Sequence, residues 1–78
     1  MKQYLMDIAV VLSALVEQDG YWSPLTPIYL ALGSDMDRYH QVVTLMARAG
    51  LVTTTADTVT LTSFGVEKAE IINRAIPK

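Results

Sequence analysis

An α+β fold, three helices followed by a β-hairpin and a last helix, is predicted from three features of the sequence. Apolar residues recur at helical spacing in three early segments, closed in turn by Gly20, Gly33 and Gly50. A threonine-rich stretch from Leu51 to Thr62 then alternates β-branched and polar residues on either side of Ala56-Asp57. Beyond it, Ser63 stands as a helix cap before a final periodic segment that ends ahead of Pro77.

The first helix is predicted from about Tyr4 to Gln18. Leu5, Ile8, Ala9, Leu12, Leu15 and Val16 fall at 3.6-residue spacing and define its core face. The opposite stripe is thin, with Gln3, Asp7 and Glu17 as its polar members. Tyr21-Trp22 reads as a short extended connector whose rings close the bottom of a small core. Pro27 disfavours a helical Thr26, which makes Thr26 the N-cap of a short second helix, Pro27 to Leu32. A third helix follows at once. Ser34 and Asp37 have capping-box spacing, Asp35 is an alternative cap, and the helix runs to about Ala49. Its inner face is Tyr39, Val42, Val43 and Met46. Strands are expected at Leu51–Thr55 and Thr58–Thr62, with Val59 and Leu61 inward, and a last helix from Phe64 to about Ala75.

Length and composition limit what this fold does. Seventy-eight residues make one domain, spanning 1–78, with no repeat or linker. With 51% apolar and 18% charged residues the chain is not intrinsically disordered. The longest apolar run, Ile8 to Val16, is far short of the ~20 residues that span a bilayer. No small-x-small cleavage site follows that run, so a secretory signal is not expected. The lack of cysteine excludes disulfides and thiolate metal sites and fits a reducing, cytoplasmic compartment. His40 is the only histidine and lacks companions, so no metal or cofactor is expected. Neither a nucleophile–base pair, a carboxylate pair nor a phosphate loop is present, and an enzyme is not expected.

Two short motifs carry a resemblance. Ala31-Leu32-Gly33, sixteen residues and Gly50-Leu51-Val52 have the spacing found in many bacterial and archaeal helix-turn-helix regulators, and Leu61-Thr62-x-x-Gly65 follows the hairpin. Together they resemble the winged helix-turn-helix superfamily, in particular small MarR-like proteins, over roughly residues 4–75. The resemblance implies a helix-turn-helix over 27–50, a wing over 51–62 and a C-terminal helix over 63–76. It further implies a transcriptional regulator whose third helix enters the major groove of duplex DNA while the wing touches backbone. On that basis the expected DNA contacts are Arg38, His40, Gln41, Thr44 and Arg48 on the helix, with Thr54 and Thr55 on the wing. Gln41 is the best base reader, since its amide bonds adenine at two points.

The charge pattern opposes this and keeps a second expectation open. The net charge is −2, and Asp35, Asp37 and Asp57 stand on the elements that would meet phosphate. Met36, Leu45 and the wing could instead meet another protein. The apolar excess has its own implication. Met6, Val10 and Val11 on the first helix, with Val66, Ala69, Ile72 and Ile76 on the last, exceed what one small core can use. Such a surplus predicts a homodimer interface.

Overall fold

The computed structural model describes residues 2–75, with side chains over 4–74. The elements follow in the order α1 (Lys2–Val16), a one-turn 3-10 helix (Asp19–Tyr21), β1 (Trp22–Pro24), α2 (Leu25–Ala31), α3 (Met36–Arg48), β2 (Val52–Thr54), β3 (Thr58–Leu61) and α4 (Ser63–Ala75). The architecture is α+β. Among the described residues, four α-helices pack with an antiparallel sheet of order β1-β3-β2.

The third strand is an addition to the expected hairpin. The connector after α1 pairs with β3, in the register Trp22↔Thr60, Ser23↔Val59 and Pro24↔Thr58. Alternation along this strand turns Ser23 inward and leaves Trp22 on the outer surface, 47% exposed. Trp22 therefore does not close the core. Its indole lies against Gly20 instead, with Cδ1 3.2 Å from where a Cβ there would stand. Pro24 occupies an edge strand, where a missing N–H is tolerated.

The helix boundaries differ from expectation for local reasons. α2 starts at Leu25 rather than Pro27, because the Leu25 N–H reaches the Asp57 carbonyl at 2.7 Å. Pro27 then lies within the first turn, where backbone N–H groups have no intrahelical acceptor in any case. Asp35 is the cap of α3, its carboxylate accepting from the Arg38 N–H at 3.1 Å.

The core joins every layer: Val11, Leu12 and Leu15 from α1, Ile28 and Leu32 around α2, the expected Tyr39, Val42, Val43 and Met46 of α3, Val52, Val59 and Leu61 from the sheet, and Ala69 of α4. In α1 the buried face is rotated from the expected one. Leu5 is 62% exposed, whereas Asp7, expected on the polar stripe, is only 5% exposed. A helix apolar nearly all round leaves the phase of burial open, and here a polar partner decides it: Arg38 of α3 meets Asp7 from across the helix pair.

The hairpin and α4 are joined by a compact junction. The Thr62 N–H donates to the Leu51 carbonyl at 3.0 Å, and the Thr62 hydroxyl donates to the Gly50 carbonyl. That same hydroxyl accepts from the Gly65 N–H at 3.0 Å, so Thr62, rather than Ser63, caps α4. The first turn of α4 is thereby pressed onto Leu51. A Cβ on Gly65 would fall 2.0 Å from the Leu51 oxygen, a distance no side chain accommodates. Both sequence motifs, Gly50-Leu51-Val52 and Leu61-Thr62-x-x-Gly65, are the two halves of this junction.

Gly65→Ala is expected to cost about 3 kcal/mol, the upper end for overpacking. Gly50→Ala has open space around it and meets only the left-handed φ of +78°, for about 1 kcal/mol. Urea unfolding of the two variants checks the order, and equal losses would refute the junction as described.

Candidate nucleic-acid interface

α3 and the hairpin tip border an open cleft of about 460 Å³. Successive turns of α3 contribute His40, Thr44 and Arg48 to it, because residues four apart lie one above the other on a helix. The end of β2 contributes Thr54 and the turn after it Thr55 and Ala56, and Leu25 from α2 closes one end. Tyr39, Val43 and Ala47 complete the wall on the core side. Five of the seven residues expected to contact DNA thus converge on one concave surface: His40, Thr44, Arg48, Thr54 and Thr55.

Their chemistry is mixed. The Arg48 guanidinium makes no ion pair among the described residues. The His40 ring stands edge-on to Tyr39, with centroids 5.6 Å apart and planes at 72°. The Thr55 hydroxyl is occupied within the hairpin, bonding Thr58 Oγ1 at 2.5 Å and Asp57 Oδ1 at 3.3 Å. No hydrogen bond engages the hydroxyls of Thr44 and Thr54 among the described residues.

The two remaining expected contacts are held by α1. Arg38 gives Asp7 a two-point clasp, its Nε donating to Oδ2 at 2.8 Å and its Nη2 to Oδ1. A backbone anchor with a free charge is therefore not what Arg38 offers; its guanidinium fastens α1 to α3. Gln41 accepts a hydrogen bond from the Tyr4 hydroxyl through Oε1, which leaves the exposed amide nitrogen to donate. Asp35 and Asp37 remain exposed at the start of α3, and Asp57 at the hairpin tip. Met36 is exposed and Leu45 half-buried.

The expected dimer residues divide into three groups. Met6, at 73%, and Val10 are exposed, and Leu5 and Ile71 add to this surface. Val66 and Ile72 are half-buried against the core. Val11 and Ala69 are fully buried, since α1 and α4 pack on each other within one chain, and neither is left for a partner. Ser13 donates to Asn73 Oδ1 at 3.1 Å across the same helix pair. Ile76 lies outside the described residues.

Residues that sequence patterning missed are Asp7 and the apolar cleft wall. A carboxylate immediately before the longest apolar run was the available signal for Asp7. Among the described residues no group of three or more histidine, aspartate or glutamate side chains could hold a metal ion. No described helix is long and apolar enough to cross a membrane. No protein-family model, curated protein or solved structure matches this chain.

Hydrogen bonds from Arg38 lower the Asp7 pKa first, its positive charge lowers it further, and burial works against both. The folded pKa therefore lies below the unfolded one. The stabilisation is fully present above the unfolded value near 4 and is lost as pH falls through the folded value. Thermal unfolding is expected to show a falling midpoint below about pH 4. That acid dependence shrinks in Asp7→Asn, which is also less stable than the parent at pH 7. An unchanged acid limb in Asp7→Asn would remove the clasp from the account.

Proposed function

We propose that this chain is a small winged-helix DNA-binding regulator that acts as a homodimer. The observation that carries the reading is the convergence of the α3 surface and the hairpin tip on one cleft, with the unpaired Arg48 in its wall. In this reading α3 enters the major groove. Gln41 and Thr44 face base edges, while Arg48 and the Thr54 hydroxyl take a backbone phosphate. His40 lies beside them as a further polar contact. Arg38 acts through Asp7, fixing α3 against α1, and contributes little free charge.

Fluorescence anisotropy with labelled genomic duplexes at about 50 mM salt tests this, since phosphate contacts are strongest there. Binding is expected. Arg48→Ala should weaken it on every sequence and reduce the salt slope by about one. With Oε1 held by Tyr4, Gln41→Ala should weaken binding only at sites where its amide N–H meets a base acceptor, by less than the ~1–3 kcal/mol of a two-point pair. Failure of any fragment to bind would end the proposal.

Exposed Leu5, Met6 and Val10 on α1 and Ile71 on α4 support self-association. Sedimentation at micromolar concentration is expected to give twice the 8.6 kDa chain mass, and Met6→Glu to return it to one. A monomeric parent chain would refute the dimer. A second reading, a winged-helix module that binds a protein, is favoured by Asp35, Asp37 and exposed Met36 at the start of α3. Recovery of a stoichiometric protein partner, lost with Met36→Asp, together with no duplex binding, would select it.

A further inference from the structure

The cleft has features that a DNA backbone alone leaves unused. Its volume of about 460 Å³ falls within the ~300–1,000 Å³ range of small-molecule sites. That is many times the ~30 Å³ of one water, and far more than a tetrahedral anion requires. Much of its wall is apolar, from Leu25, Val43, Ala47 and Ala56. Phosphate and sugar gain nothing from such a surface.

A second observation is independent of size and lining. Tyr39 is only 4% exposed, and its hydroxyl has no hydrogen-bond partner among the described residues. Burial raises its pKa, so the phenol stays protonated and keeps a hydrogen to donate. Among the described residues no fully buried side-chain oxygen is without a partner, so this one must retain contact with solvent. The cleft is the cavity that Tyr39 borders. A tyrosine buried to this degree ordinarily satisfies its hydroxyl within the protein. Tyr39 lines the cleft, and we take its solvent-touching hydroxyl to open there.

We propose that the cleft binds a small organic anion consisting of a flat apolar body with a phosphate head. The head lies between the Arg48 guanidinium and the free hydroxyls of Thr44 and Thr54, which supply charge and donors. The body covers Val43 and Ala47, and the Tyr39 hydroxyl donates to an acceptor on the ligand. This proposal needs no DNA, so its failure and the failure of the DNA-binding reading are separate results.

Phenyl phosphate is the probe, titrated into the full chain without DNA and followed by amide chemical shifts. Saturable shifts are expected over the second half of α3 and residues 54–56. Affinity should fall by roughly ten-fold or more in Arg48→Ala, which loses a charge-assisted contact. A fall of roughly three- to ten-fold is expected in Tyr39→Phe, which loses one hydrogen bond and no volume. Inorganic phosphate and benzyl alcohol, each carrying half of the recognition, should bind at least about ten-fold more weakly than phenyl phosphate. Equal binding of inorganic phosphate would reduce the cleft to a bare anion contact and overturn the proposal. Shifts centred elsewhere, or an unchanged affinity in Tyr39→Phe, would overturn it as well.

Discussion

Asp7 is almost completely removed from water, and a carboxylate in that position is tolerated only when hydrogen-bonded and neutralised. Arg38 meets both needs with a two-point clasp. Much else follows from this pair. It fixes the rotation of α1, in which Val11 joins Leu12 and Leu15 inside while Leu5 joins Met6 outside. It also ties α1 to the first turn of α3, where Asp35 already holds the Arg38 backbone. The helix that would read DNA is thus fixed at its N-terminal end by a polar clasp and along its length by apolar burial.

The other end of α3 is positioned by the hairpin. The Leu51 N–H bonds the Met46 carbonyl, so the chain leaves α3 and enters β2 without slack. Thr62 and Gly65 then lock the return strand and α4 onto Leu51 and Gly50. Because the hairpin is anchored at its base on both sides, its tip stands at a fixed place beside Arg48. The cleft is a product of these two anchors, with Leu25 held at its end by the Asp57 carbonyl.

Element order, the inner face of α3, the hairpin and the last helix were all legible in the sequence, because glycines and threonines mark their ends and alternation marks their faces. Two kinds of feature were not. The phase of α1 depends on a partner thirty-one positions away, and no local pattern contains that pairing. Strand β1 likewise exists through its register with β3; three residues that include Pro24 have no strand signal of their own. Of the expected DNA contacts, those on the turns nearest the hairpin came together. Arg38 and Gln41 did not join them, since α1 bonds both. Periodicity gives the direction in which a side chain leaves its helix, and says nothing of which neighbour reaches it first.

The clasp also sharpens the electrostatic problem. With Arg38 offset by Asp7, the charge available around α3 and the hairpin is Arg48 against exposed Asp35, Asp37 and Asp57. Non-specific attraction to DNA is weak under that balance, so the proposed DNA binding would draw its affinity from shape, from Gln41 and Thr44, and from the doubled surface of the proposed dimer. The same scarcity couples the two proposed occupants of the cleft. In the two proposals Arg48 and Thr54 would serve both a DNA phosphate and the head of a small anion, and one guanidinium cannot satisfy both at full strength. Reciprocity of binding free energies then requires each occupant to weaken the other by the same factor. In a protein with little charge to spare, the loss of one cation from the DNA surface is a large fraction of the total. The acidic composition that argues against tight DNA binding is therefore what would let a small anion control it.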